Sequence, residues 1–589
     1  MTYLLGRSHV KYQESHFGFS HKNSSSIENI ISQFRESIQM NDTRRGQRSI
    51  STINHESMSI TRTCRISGKE FTITDRELSF LDSISPVFDG KKYPLLPPTL
   101  CPEERMRRRL SWRNSFSLYK DNCPISWKDI ITSYNPRWGY LWVDQETWWT
   151  KGEGLDYGGK YDENSSFFKQ YNVLLKKTPI PCLSNSYTLN ENSHYVNGTI
   201  NVKDCYLIFN ASNSEHCEYA ETVNKSENIY DSSYVFESSQ CYECIGINRC
   251  SRCIGVEESE DCRDSYFLYD CRGCSHCILC TNLENQSYCI KNQKVSEEEF
   301  EQFLSTMSQE DGTIHVEDLE NELNTLKEAT VKNNHIIGSE NCDGIFIKFS
   351  TDVIDWKNLT GAEDVMHTWQ MNYVTRCYDC FSWWWGSVWS PGAENCYECH
   401  AVGSGAYGLI GCWAVWDNTR NVYYSYSCIG CQDCFGCVWL RNKQYCILNT
   451  QYTKWDYEKL VGKIVEKMTQ DGEWWEYPPS SMSTFSYNES YAQLEYPLTE
   501  EETITRGYTW YPEETPWIPL TKKIIPWEQL PKNISATPDD ILNWVIKCKI
   551  SGKYFRITAS ELEFYRKHSL SIPTKHPDVR RKERFERRI

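Results

Sequence analysis

Apolar residues along most of this chain do not keep a helical period; through its middle they fall in short pieces cut by polar turns. Asn201-Val-Lys-Asp-Cys205-Tyr-Leu-Ile-Phe209, Asn213-Ser-Glu-His-Cys217, Ser239-Gln-Cys241-Tyr-Glu-Cys244 and Ser259-Glu-Asp-Cys262 share one theme. A polar turn leads into a cysteine, and an aromatic or aliphatic residue follows. Such pieces, recurring every ~18 to 25 residues, predict a mainly β chain built as a right-handed parallel β-helix-like solenoid. In one uninterrupted strand, residues three apart face opposite ways. A Cys-x-x-Cys series therefore turns all its sulfurs inward only where the backbone bends between them.

The densest such series occurs twice, as Cys271, Cys274, Cys277, Cys280, Cys289 and, 157 residues later, as Cys428, Cys431, Cys434, Cys437, Cys446. The two end in Tyr288-Cys289-Ile-Lys-Asn292 and Tyr445-Cys446-Ile-Leu-Asn449. This predicts two duplicated lobes, over residues 193–292 and 336–449, whose thiols stack as compact fillers. A helix is expected to close each lobe. Ser296-Glu-Glu-Glu299 has the form of a capping box ahead of Phe300, Phe303 and Leu304. Thr453 precedes a stripe of Tyr457, Leu460, Val461, Ile464, Val465 and Met468, and Leu319, Leu323 and Leu326 mark a further helix. Residues 293–335 thus read as a helical cap or insertion, and 450–540 as a helical cap followed by an extended aromatic segment.

The flanks differ. Residues 1–60 lack apolar periodicity and read as a disordered arm. Cys64-Arg-Ile-Ser-Gly-Lys-Glu-Phe-Thr-Ile-Thr-Asp-Arg-Glu-Leu-Ser-Phe80 returns near the end as Cys548-Lys-Ile-Ser-Gly-Lys-Tyr-Phe-Arg-Ile-Thr-Ala-Ser-Glu-Leu-Glu-Phe564, with a short echo at Cys123-Pro-Ile-Ser-Trp-Lys128. Ser-Gly-Lys supplies a turn, Phe71 and Ile73 suit a half-buried strand, and Thr74 or Thr558 can cap a short helix. One module over 61–135, with its echo, and one over 541–589 follow. An aromatic-rich linker at 136–192 lies between the first module and the coils.

The order Cys, Gly-Lys, Phe, Glu, Pro, Cys-Pro, Arg resembles a treble-clef-like zinc-ribbon domain, whose members carry two Cys-x-x-Cys pairs. Here Ser67 and Glu104, and Ser551 and Val579, stand at the second place of each pair, and His576 replaces a cysteine. With the Tyr-Cys-Ile endings, the whole resembles a family of uncharacterised cysteine-rich proteins of small-genome uncultivated bacteria, in which such modules flank Cys-x-x-Cys coils. The resemblance implies architecture and no activity.

Composition adds three points. With 28 cysteines and 22 tryptophans, many short strands are favoured over an all-helical protein. No run of ~18 apolar residues is present and residues 1–26 lack the apolar core of a secretory signal, so a cytoplasmic location with reduced thiols is expected. The net charge of −16 argues against a surface coated with nucleic acid. Two basic clusters stand out as candidate surface sites for nucleic acid, a ribosome or a protein: Arg105, Arg107, Arg108, Arg109 and Arg113, and Lys575 with Arg580, Arg581, Lys582, Arg584, Arg587 and Arg588.

Two readings of function stay open. One is a non-catalytic scaffold whose end modules dock a partner. The other is a metalloprotein with zinc, or less favoured an iron–sulfur cluster, held by members of the set Cys64, Cys101, Cys123, Cys271, Cys274, Cys277, Cys280, Cys289, Cys428, Cys431, Cys434, Cys437 and Cys446. A structural zinc wants four Cys or His ligands, and Cys64, Cys101 and Cys123 offer three. No phosphate loop, His-Glu-x-x-His or nucleophile elbow points to an enzyme. His194, His216, His276, His367 and His400 read as coil-surface residues, with His400 beside Cys399 as a further zinc candidate.

Overall fold

The computed structural model describes residues 59–588 apart from 152–153, 187, 309–311, 331–343, 349–355, 364–370, 378–393, 397–417 and 513–522; of 344–396 it describes four strand backbones. The arm expected over 1–60 falls outside this set but for its last two residues, as do His367 and His400.

The chain forms a β-solenoid, but its coil closes after twelve residues, not the 18 to 25 read from the sequence. Parallel registers run Asn197 to Phe209, Glu221, Ser233 and Ile245, and hydrogen-bonded side-chain pairs such as Asn201 and Asn213 lie 12 residues apart. The corner explains the short coil. Every third residue is left-handed, as at Asn201, Asp204, Leu207, Asn210, Asn213 and His216. A single αL residue turns the chain at each corner, so four three-residue sides complete a coil. Asn and Asp tolerate this region best after Gly. That preference is the physical content of the polar turns before the cysteines.

The residue after each corner points inward. Val202, Cys205, Ile208, Ala211, Cys217, Ala220, Val223 and their successors to Cys289 form one continuous core, and Ser214, Ser226, Ser238 and Ser265 are buried at positions in the same series. These side chains do more than fill space. Ser226 N donates to Ser214 Oγ at 3.2 Å, Ser238 N to Ser226 Oγ at 3.1 Å and Cys250 N to Ser238 Oγ at 3.0 Å. The column continues in sulfur: Cys250, Cys262 and Cys274 accept the N–H of Cys262, Cys274 and Gln286. Each inward Ser or Cys thus accepts the amide one coil above and donates to a carbonyl of its own coil, as Cys274 Sγ does to Arg272 O at 3.4 Å. Outside, like positions form ladders, among them Lys225–Glu237 at 3.0 Å and Arg249–Asp261 at 2.7 Å.

A second run follows the same step through Gly344–Lys348, Trp356–Glu363 and Met371–Cys377, with a longer step to Glu394–Cys396. It is described again at Arg420–Tyr423, Gln432–Phe435 and Gln444–Ile447. Both runs end alike. Ser287–Ile290 turns back on Gln293–Lys294, and Gln444–Ile447 on Thr450–Gln451. Asn292 Oδ1 accepts Thr281 N at 2.9 Å and Asn449 Oδ1 accepts Val438 N at 2.8 Å, so the final Asn of each Tyr-Cys-Ile phrase ties off the last coil.

Nine of the described helices brace these coils: α1 (Asp75–Ile84), α2 (Pro102–Leu110), α3 (Gln145–Lys151), α4 (Phe167–Lys177), α5 (Glu297–Met307), α6 (Val316–Glu328), α7 (Lys454–Asp471), α8 (Ala559–Lys567) and α9 (Pro577–Arg588). Capping boxes start α1 at Thr74, α5 at Ser296 and α8 at Thr558, and Thr453 caps α7. Packing crosses the chain order. The aromatic segment ahead of the first run packs on the second, with Phe167 5.1 Å from Phe435 and Trp148 4.9 Å from Trp439 between ring centres. The C-terminal module packs on the first run, where Phe564 stacks on Tyr230 at 4.2 Å.

If inward thiols act as amide acceptors as well as fillers, Cys274→Ala should destabilise by about 2 kcal/mol, combining lost packing with an orphaned amide, and Cys274→Ser by about 1 kcal/mol. Urea unfolding of the two variants measures this; equal losses would leave packing as the only role.

Candidate functional site

Three copies of one knuckle are the most chemically specific feature outside the coils. Each begins with a hairpin: Ile60–Thr63 with Glu70–Ile73, Tyr119–Asn122 with Asp129–Thr132, and Val545–Lys547 with Tyr554–Phe555. Cys64, Cys123 and Cys548 head the loops, and their N–H groups donate to Lys69, Lys128 and Lys553 at 2.8, 2.9 and 2.8 Å. The serine three residues on, Ser67, Ser126 or Ser551, gives its N–H to that sulfur, at 3.4 Å in the last two. A second N–H arrives from the residue at the start of a helix: Cys101 ahead of α2, Asp144 ahead of α3 at 3.5 Å, His576 ahead of α9 at 3.2 Å. The echo at Cys123 is therefore a complete third knuckle. The sequence hid it because its helix-cap residue is Asp144, not Cys or His.

The knuckles differ in what faces the sulfur. In the first, Ser67 Oγ lies 3.7 Å from Cys101 Sγ, and Cys64 and Cys101 pack together in one small cluster with Leu100. Burial raises the Cys64 pKa, but the Ser67 hydroxyl and the amides of Cys101, Ser67 and Ile66 outweigh it and bring it down to about 7. In the second, Ser126 Oγ donates to Asp144 Oδ2 at 2.6 Å. Cys123 packs in a different cluster from Cys64 and Cys101, so the structure does not gather the three. A tip residue also differs. Gly68 and Gly552 take φ of 71° and 67°, whereas Trp127 holds the same place at φ 60° and is 80% exposed, beside exposed Ile125.

The dense cysteine series each supply four inward thiols to one coil, Cys271, Cys274, Cys277 and Cys280, and Cys428, Cys431, Cys434 and Cys437, all buried. Cys289 and Cys446 lie in register with Cys277 and Cys434 one coil on. The Cys274 thiol lies among those of Cys262, Cys271 and Cys277, and in this group its pKa is lowered while theirs are raised. Among the described residues, no three or more Cys, His, Asp or Glu side chains group as metal ligands do.

The basic clusters correct the sequence reading, which took them for surface charge. Arg105, Arg107, Arg108 and Arg109 are buried on α2, with Arg107 on Glu103 and Glu104 and Arg108 on Glu476 at 3.1 Å. Arg113 donates to Asn210 Oδ1 at 2.6 Å. At the C-terminus Arg580 pairs with Asp231 and Glu561, and Arg584 with Asp231 at 3.2 Å and Glu243 at 3.3 Å. Arg587 reaches Glu243 and Glu320, Arg581 lies 4.3 Å over the Phe116 ring and Arg588 3.4 Å over Tyr234. Lys582 is exposed. The reason is charge complementarity. Carboxylates on the coil flank face the arginines of α9, and burial still pushes Asp231 up to about 7 against the pull of Arg580 and Arg584. A cavity of about 1150 Å³ beside α6 and α9 is lined by ten carboxylates and six cationic side chains, of which Lys327, Lys575, Arg580 and Arg587 are already paired with carboxylates.

Comparison with protein-family models, curated proteins and solved structures found no match.

Removing one partner of the α9 network should be costly. Arg584→Met leaves Asp231 and Glu243 short of a cation in a dry site and is expected to destabilise by about 3 to 5 kcal/mol, read from thermal or urea unfolding. An unchanged midpoint would mean that these charges are solvated.

Proposed function

We propose that the protein is a non-catalytic scaffold that docks another protein. Its rigid body is a right-handed solenoid in two lobes related by duplication, and its knuckles descend from zinc-ribbon-like modules. The identical endings at Asn292 and Asn449 support the duplication, and the shared N–H···S geometry of the three knuckles supports the descent. A cytoplasmic setting, where thiols stay reduced, suits the cysteines described as free.

One observation carries the docking role. A tryptophan in the left-handed region costs about 1 kcal/mol or more relative to glycine, and strain of that kind tends to gather at functional sites. Trp127 bears it while 80% exposed, where its own fold gains little packing in return. Exposed tryptophan is the commonest anchor of protein interfaces. Burial of the arginine clusters removes the main support for a polyanion partner.

Trp127→Gly is expected to leave folding intact and raise stability by up to about 1 kcal/mol. A photo-crosslinking residue at 127 should form an adduct with one protein species, and the same residue at exposed Glu215 should not. Adducts with RNA or DNA, salt-sensitive retention on heparin, or no adduct at 127 would each overturn the docking reading.

The metal reading starts from four inward thiols on one coil in each run, which among the described residues do not group as metal ligands do. Zinc there would be held by Cys271, Cys274, Cys277 and Cys280 or their counterparts. Elemental analysis and an absorption spectrum of anaerobically purified protein decide it. Stoichiometric zinc, or iron with visible absorption, together with loss of folding on chelation, would replace the filler role.

A further inference from the structure

The three knuckles hold their first sulfur in the same way but give it different partners: a thiol in the first, a carboxylate in the second and an imidazole-bearing residue in the third. Only a thiol partner allows a covalent change. We propose that Cys64 and Cys101 form a reversible disulfide when the protein meets hydrogen peroxide, locking the first knuckle onto helix α2. The inference is independent of the docking role.

Geometry prepares the pair. Arg65 N donates to Thr99 O at 3.2 Å, so the knuckle strand is already tied beside the segment that enters α2. The two side chains pack in one small cluster with Leu100, and Ser67 Oγ lies 3.7 Å from Cys101 Sγ. Cys64 and Cys101 are 2% and 4% exposed, yet the residues over them, Arg65, Gly68, Lys69 and Glu70, are themselves exposed, so one loop separates the pair from water. A small oxidant suits such a site better than a bulky one. Peroxide reacts with the thiolate form of a cysteine, the form that N–H donors around a sulfur favour.

The chemistry balances. The Cys64 thiolate attacks one peroxide oxygen; the S–O bond forms, the O–O bond breaks, and hydroxide leaves and takes a proton to become water. The Cys101 sulfur then attacks the sulfenic sulfur; the S–S bond forms, the S–O bond breaks, and hydroxide leaves with the Cys101 proton as a second water. Two thiols are oxidised to one disulfide and one peroxide is reduced to two waters. A thiol reductant reverses the step. The coil cysteines differ in place: their sulfurs lie inside the solenoid, in its continuous core.

The test uses wild-type protein and graded hydrogen peroxide, with differential alkylation and peptide mapping by mass spectrometry. The expected result is a Cys64–Cys101 linked peptide, lighter by about 2 Da than the reduced pair, appearing before oxidation of any coil cysteine and lost on adding dithiothreitol. Oxidised protein should also resist proteolysis between residues 64 and 101 several-fold longer than reduced protein. Cys123→Ser and Cys548→Ser should leave the link unchanged, whereas Cys101→Ser should stop Cys64 at the sulfenic or sulfinic stage. The proposal fails if the pair stays reduced while the chain remains folded by circular dichroism, or if coil cysteines or Cys123 form the first link.

Discussion

Much of the coil interior depends on the inward amide. The ladder joins successive coils along the solenoid axis, and a buried N–H left out of it without an acceptor costs about 1 to 3 kcal/mol. Where serine or cysteine stands one coil below, its side chain accepts that N–H. Ser214, Ser226 and Ser238 hand on to Cys250, Cys262 and Cys274 in one unbroken column. The abundance of cysteine follows from two demands met together: a side chain small and apolar enough for a narrow interior, and an atom that accepts one hydrogen bond while donating another.

The same constraint reaches the ends. A terminal coil has no coil above it, so the last amides need another partner. Asn292 and Asn449 supply both a carbonyl oxygen and an amide group to the coil they close, and the chain then reverses into a short antiparallel strand. Helices α5 and α7 start directly after these reversals. On the flanks, stacked like positions bring carboxylates together, and the arginines of α9 neutralise them. That is how a chain with a net charge of −16 comes to bury Arg580 and Arg584.

The knuckles share one geometry with three different facing groups. N–H groups directed at a sulfur occur in all three, while the facing group is Cys101, Asp144 or His576. Each outcome is internally satisfied in a different way, and this freedom lets one copy carry a strained, exposed tryptophan and another a thiol pair.

Much was legible from the sequence alone. The parallel coils, the need for a bend between Cys-x-x-Cys sulfurs, the helices at Ser296 and Thr453, and the hairpin and helix at Cys64 and Cys548 follow from local rules, since caps, turns and alternation are fixed by neighbours in the chain. The coil length was misread because Asn, Asp, Tyr and Leu all occupy αL corners here, and no single residue type marks them. Exposure of the arginines was misread because burial depends on what another element brings: Asp231 and Glu243 lie more than three hundred residues before Arg584. The crossed packing of the flanking segments, and the choice of Asp144 as the partner of Cys123, were likewise decided by the tertiary structure, since a contact between distant segments leaves no periodic trace in either one.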